Sequence, residues 1–238
     1  MSPLGRGERC RSQFAVNRTS ELDSDLPSMR FFRFIPGLCA VLWLFAVGAG
    51  IRILARYEST PGNRGPAPVL WPSETTLRRD STRATLVMVL HPRCPCSRAS
   101  LGELAELMAQ SQDLVSTTVL FYQPAGFQED WAKTDLWRRA GAIPGVSRII
   151  DLNGREARRF GGVTSGQTSL YDEHGRLLFQ GGITRSRGHE GDNPGRSALV
   201  SWVTKRASAV SVTPVFGCPV FDPPSETDNQ LYTCKLPR

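Results

Sequence analysis

Two cysteines one residue apart, Cys94 and Cys96, are the residues of this chain best suited to chemistry. They lie in "VLHPRCPCSRASLGEL", between an apolar run and a stretch of helical spacing. The thiolate, not the thiol, attacks disulfides and binds soft metals. A helix start, with its partial positive charge and unpaired N–H groups, favours that thiolate. Arg93 and Arg98 add positive field nearby in the sequence. Cys94 is therefore expected as the nucleophile and Cys96 as the second thiol. Ser97 is expected to offer its hydroxyl to the Cys94 thiolate. His91 extends the pattern to H-x2-C-x-C, and imidazole with two thiolates suits Cu(I) or zinc. His189, in "SRGHEGDN", could complete such a metal set from a loop. A peroxidase-like use of Cys94 is disfavoured, because "VLHPR" lacks the serine or threonine such a cysteine has a few residues earlier. His174 is expected only as a turn residue.

The surrounding sequence predicts elements that would hold these residues at a sheet edge. "TLVMVL", 85–90, reads as a buried strand ending before the cysteines. Leu101, Leu104, Ala105 and Met108 then recur at helical spacing. "VSTTVLFY", 115–122, is a second strand. "FQEDWAKTDLWRRAGAI" is expected as a second helix with Trp131 and Trp137 on one face. "SRIID", 147–151, is a third strand, and "GREARRFGG" a short helix ended by glycines. "TSLYDEHGRLLFQGG" reads as a hairpin turning at His174-Gly175, and "GRSALVSWVTKRA" as a closing helix. Strands alternating with helices predict an α/β fold: a mostly parallel sheet, helices on both faces and a late antiparallel hairpin. Cys94 would then sit at the carboxyl end of a strand, where chemistry gathers in such sheets.

Ahead of this lies "FIPGLCAVLWLFAVGAGI", 34–51, uncharged and followed by Arg52 and Arg56. It is long enough for a spanning helix with snorkelling arginines. A cleaved signal peptide is the rival reading, since "AVGAG" offers small residues at its end. The expected organisation is a polar tail or mis-called start over 1–28 and a signal-anchor helix over 29–56. A tether rich in proline and glycine over 57–80, a folded domain over 81–208 and an extension over 209–238 complete it. Arginines on both sides of the apolar segment leave its orientation undecided; the cysteine chemistry places the bulk of the chain outside the cytoplasm. The net charge of +7 over 238 residues is spread along the chain. With no basic block and no aromatic-basic interleaving, nucleic acid is not an expected partner. No nucleotide fingerprint is present, and a monomer is expected.

The strand, "CPCSRASLGEL" and the later "IIDLNGREARRFGGVTSGQTSLYDEHGRLLFQGGI" resemble the thioredoxin-like superfamily. The likeness is to its membrane-tethered, bacterial extracytoplasmic form, with the RedB-type proteins as the nearest group. It covers about 84–207. The resemblance implies thiol-disulfide exchange on protein thiols or disulfides, no cofactor, and an inner-membrane protein with its domain on the periplasmic side. The alternative is a copper-binding thioredoxin-fold chaperone using His91, Cys94 and Cys96. Two departures stand out. The family's second cysteine falls on Ser97, so Cys96 is one position early, and a disulfide across one residue is tight and relatively oxidising. In "SGQTSL", Gln167 takes the place of the family's cis-proline, which faces the cysteines, with Thr168 after it. Cys218 and Cys234, outside the family core, are expected to close a loop worth about 3 kcal/mol.

Overall fold

The computed structural model describes residues 34–111, 113–128 and 130–221. It falls into two units, 1–50 and 51–238. The helix α1 (Ile35–Ser59) is the one described helix long and apolar enough to cross a membrane. It carries no acidic residue in its first turn, and Leu42, Trp43 and Phe45 stand exposed on it.

The second unit is built on β1 (Ala84–Leu90), α2 (Ser97–Gln110), β2 (Val115–Gln123), α3 (Asp135–Gly141) and β3 (Val146–Leu152). It continues through α4 (Arg155–Arg159), β4 (Gln167–Tyr171), β5 (Leu177–Gly181) and α5 (Pro194–Lys205). Five strands form one sheet in the order β3-β2-β1-β4-β5. β1 pairs in parallel with β2, and β2 with β3; β4 runs antiparallel to both β1 and β5. This is the thioredoxin-like fold, an α/β architecture as the alternation of elements predicts.

β1 lies at the centre, and six of its seven residues are buried. A strand covered on both faces has no polar side, which explains the unbroken "TLVMVL". Leu86, Met88 and Leu90 pack towards α2, α3 and α5, with Leu104, Leu107, Phe121 and Leu199. Val87 and Val89 face Tyr122, Phe160 and Tyr171 on the other side. The central strand is thus clamped from both faces, and its carboxyl end is a fixed platform for residues 91–97.

Three expectations change. The helix expected over "FQEDWAKTDLWRRAGAI" is only Asp135–Gly141. Thr134 donates its hydroxyl to the Pro92 carbonyl at 2.9 Å, which anchors the helix start beside the cysteine loop. Trp131 lies outside the helix, edge-on to His91 at 5.8 Å, whereas Trp137 packs on Phe121 at 5.2 Å. Second, the stretch expected as a free tether is laid along the domain. Leu177 N–H donates to Val69 O at 2.9 Å, Tyr171 Oη donates to Pro68 O at 3.0 Å, and Trp71 stacks edge-on against Phe160 and Tyr171. Pro and Gly exclude helix from this segment but leave an extended chain free to cover an apolar surface.

Third, the C-terminal extension is part of the same unit as far as it is described. Gln180 N–H donates to Ser211 O at 2.9 Å, and Thr213 N–H donates to Gln180 O at 3.2 Å, alongside β5. The chain then turns back across the molecule. Ser165 N–H donates to Cys218 O at 2.8 Å and Val220 N–H to Val163 O at 2.9 Å. Gly217 is needed for this approach: a Cβ there would lie 1.9 Å from the Ser165 carbonyl oxygen. Val215 and Val220 are buried and secure the strap on either side of Gly217.

Candidate functional site

Three thiols converge where β1 ends. The sulfurs of Cys94, Cys96 and Cys218 all lie within 4.8 Å of one another, and all three are free. Cys94 is 2% exposed and Cys96 8%. Local chain geometry places the first two. Cys94 N–H donates to His91 O and Ser97 N–H to Cys94 O, each at 3.1 Å, so residues 91–97 form two successive turns. Cys96 is the N-cap of α2 with helical φ and ψ, and its carbonyl accepts from Ser100 N–H at 3.4 Å. The third thiol arrives on the C-terminal strap.

The hydroxyls form a chain beneath Cys94. His91 N–H donates to Ser165 Oγ at 2.8 Å, and Ser165 Oγ lies 2.7 Å from Ser97 Oγ. The Ser97 hydroxyl also reaches the His91 carbonyl at 3.4 Å, so it stands between the end of β1 and the Cys94 thiol. Burial opposes ionisation of Cys94, but the Cys218 S–H and N–H, the Ser97 hydroxyl and the Cys96 N–H outweigh it and lower its pKa. Burial, then the charge and hydrogen bond of Cys94, push Cys96 up. Burial, then the same hydrogen bond and charge, push Cys218 up to about 12. One negative charge shared by three sulfurs is the arrangement this environment favours.

The nearby cation is one the sequence did not single out. Arg187 lowers the pKa of both Cys96 and Cys218 by its charge. Its side chain donates to the carbonyls of Gly217 and Thr60, and its guanidinium lies 4.9 Å from the Tyr57 ring centre. Arg98 instead pairs with Asp135, and Arg93 covers the Trp131 ring at 4.7 Å. Both arginines flank the entrance rather than the sulfurs. A cavity of about 140 Å³ reaches Cys94 between Pro92, Arg93, Arg98 and Leu136. Beside it, a cavity of about 340 Å³ is lined by Arg93, Phe127, Asp130 and Trp131.

Other expected site residues lie elsewhere. Gln167 does not face the cysteines. Its carboxamide nitrogen donates to Gly161 O at 2.8 Å and Gly65 O at 3.1 Å, fastening the 60–67 segment to the domain. Thr168 is buried in β4, its hydroxyl donating to Gly166 O at 3.2 Å. The residue that reaches the cysteine loop is Ser165. Gly166, with φ +92°, interrupts strand alternation between Ser165 and Gln167, so counting by twos from β4 fails there. The imidazole of His91 stacks beside Tyr122 and Trp131, and Arg93 N–H donates to its Nδ1 at 3.2 Å. His189 Nε2 lies 3.4 Å from Glu58 Oε2. Neither histidine belongs to the three-sulfur group, so the expected His91–Cys94–Cys96–His189 set is not assembled. Cys218 stands against Cys94 and Cys96; Cys234, its expected partner, lies outside the described residues.

A titration follows from this environment. In the chain with Cys10, Cys39 and Cys234 replaced by serine, the ultraviolet absorbance of thiolate should show one group ionising below the ordinary thiol value of 9.0, from Cys94. Cys96 should ionise above 9.0 and Cys218 only near pH 12. Replacing Cys94 by serine should remove the first step and move the other two down, because the charge that opposed them is gone. Three steps clustered at 9.0 would contradict the geometry.

No family model and no curated protein matches this chain. Among solved structures, an uncharacterized conserved protein of Geobacillus kaustophilus is similar at 18% identity and a TM-score of 0.50, over 70% of this chain and 94% of that one. A hypothetical protein of Sinorhizobium meliloti matches at 22% identity and a TM-score of 0.49, over 68% and 93%. A secreted disulfide oxidoreductase of Mycobacterium tuberculosis, homologous to E. coli DsbE, matches at 12% identity and a TM-score of 0.37, over 53% and 83%. At these identities the likeness is one of fold.

Proposed function

We propose that this chain is a thiol-disulfide oxidoreductase in which Cys94 exchanges disulfides with protein thiols. The observation that carries the reading is the meeting of the Cys94, Cys96 and Cys218 sulfurs within 4.8 Å of one another at the end of β1, in an environment that favours the Cys94 thiolate. A thiolate stabilised at a strand-to-helix turn is a nucleophile and a good leaving group in the reverse direction. The small cavity at Cys94 gives a substrate sulfur a way in, and the Arg93–Trp131 ledge beside it offers an apolar and cationic surface for a flanking peptide. In this reading α1 anchors the chain in a membrane and the domain works on the extracytoplasmic side, where thiol pairs cycle through disulfides. The protein needs no bound cofactor for this chemistry and acts as a single chain.

The test is a redox titration of the full chain in glutathione buffers, with alkylation and mass spectrometry at each ratio. The expected result is a reversible two-electron loss between about −120 and −270 mV, the range of known exchange catalysts. A cluster that stays reduced throughout would end the proposal.

A second reading is favoured by the same three sulfurs. Three convergent thiolates suit a soft ion such as Cu(I). Its ligands would be Cys94, Cys96 and Cys218, with no histidine. A Cu(I) complex that forms at one equivalent and disappears in Cys218→Ser would support it.

A further inference from the structure

Resting on the proposed exchange reaction, we infer that the disulfide partner of Cys94 is Cys218 on the C-terminal strap, and that the neighbouring Cys96 is not the resolving thiol. Both candidate sulfurs lie within 4.8 Å of Cys94, so distance alone does not choose. Chain geometry does. Cys94 and Cys96 span the turn closed by Ser97 N–H and Cys94 O. Pro95 between them has its φ fixed by its ring. Cys96 already holds helical angles as the N-cap of α2, and its carbonyl is engaged by Ser100 N–H. A bond between them must close a small ring inside this turn, and the first turn of α2 must yield. Cys218 is 124 positions from Cys94 (218 − 94) and comes from a separate segment. A disulfide there imposes no local ring, and the strap is already held at Ser165 and Val163. The Cys94 and Cys218 sulfurs already face one another within 4.8 Å, close to the approach a disulfide requires.

The reaction balances with these two sulfurs. The Cys94 thiolate attacks one sulfur of a substrate disulfide; a Cys94–substrate disulfide forms and one substrate thiolate leaves. The charge that opposed ionisation of Cys218 is now gone. The departing thiolate takes the Cys218 proton, directly or through water. The Cys218 thiolate attacks the Cys94 sulfur, and the second substrate sulfur leaves as a thiolate that water protonates. The protein has lost two electrons and the substrate has gained them. In reverse, a substrate thiolate attacks Cys94 and Cys218 leaves. Cys96 takes no part in this sequence, because its place in the turn at the head of α2 keeps it from closing on Cys94.

The experiment uses the full chain with Cys10, Cys39 and Cys234 replaced by serine, titrated with oxidised glutathione, acid-quenched, alkylated and digested with trypsin. Trypsin leaves Cys94 and Cys96 on one fragment (94–98) and Cys218 on another (207–235). The expected result is a link between these two fragments with one alkylated thiol remaining on 94–98. Cys96→Ser should keep that link. Cys218→Ser, which retains a hydroxyl donor towards Cys94, should lose closure and accumulate one glutathione on Cys94. A chain that closes in Cys218→Ser but not in Cys96→Ser overturns the inference and leaves the exchange reading intact. If no variant forms a disulfide or an adduct, both fall together. With Cys234 restored, the same inter-fragment link is expected, and a bridge within 207–235 overturns the inference.

Discussion

Cys94→Ser should abolish disulfide exchange, with a loss on the order of 10³-fold or more, the scale on which removing one member of a catalytic unit is felt. The expectation follows from the distribution of charge among the three sulfurs. Cys94 alone gathers the donors: the Cys218 S–H and N–H, the Ser97 hydroxyl and the Cys96 N–H. Cys96 and Cys218 are each driven towards the neutral thiol, first by burial and then by Cys94. Of the three sulfurs, Cys94 is the one driven towards the thiolate and so is the nucleophile of the cluster. A serine hydroxyl at 94 has no comparable ionisation and cannot form the mixed disulfide. Reduction of a disulfide-linked fluorogenic peptide by the reduced protein, followed from pH 5 to 9, is the measurement. In the parent chain the rate should rise with pH through the depressed Cys94 value and level off below 9.0. Ser97→Ala should move that rise to higher pH, because a donor to the thiolate is lost, while leaving the plateau near its parent height. A Cys94→Ser protein that exchanges at the parent rate would transfer the chemistry to another sulfur.

The sequence was most legible where local pattern and tertiary role agree. The run 85–90 is apolar because β1 is covered on both faces, and the helical spacing after it holds because α2 buries Leu101, Leu104 and Met108. Cys94, Cys96 and Ser97 lie in this stretch and are found together. Cys218 was not legible as a site residue. Its neighbours Gly217 and Pro219 suggest only a loop, and the contact that defines it is with Ser165, far away in the chain. Arg187 was hidden in the same way, in a loop whose polar composition reads as solvent-facing. Gln167 was placed towards the cysteines only by its correspondence to the family's cis-proline; without the proline ring its carboxamide turns instead to the Gly161 and Gly65 carbonyls. The long helix expected around Trp131 failed for a related reason. Trp131 has a better partner in the His91–Arg93 surface than in a helix face.

Arg196→Met should cost about 3 kcal/mol, the lower end of what breaking a buried ion pair costs. Glu103, in the middle of α2, is 1% exposed and pairs with Arg196 Nη1 at 2.8 Å. The same carboxylate oxygen, Oε2, also accepts from Asn193 Nδ2 at 2.9 Å, and Oε1 accepts from Gly191 N–H. Asn193 in turn N-caps α5, its side chain accepting from Arg196 N–H at 2.8 Å. The carboxylate thus locks the start of α5 and the end of the 184–193 loop onto the helix that begins at the cysteines. Removing the guanidinium leaves its charge buried with only neutral donors. For a unit of this size the melting temperature should fall by about 6–12 °C. Glu103→Leu combined with Arg196→Met should recover part of the loss, since no uncompensated charge then remains, although Asn193 gives up an acceptor. The single variant should also loosen the loop that carries Arg187. The ionisation of Cys96 and Cys218 should then move up, because the cation that lowers both is less firmly held. Thermal melts and the thiolate titration on the same samples read both effects. An Arg196→Met protein that melts with the parent would show that Glu103 is satisfied by its neutral partners alone, and that α2 and the Arg187 loop are coupled by packing rather than by charge.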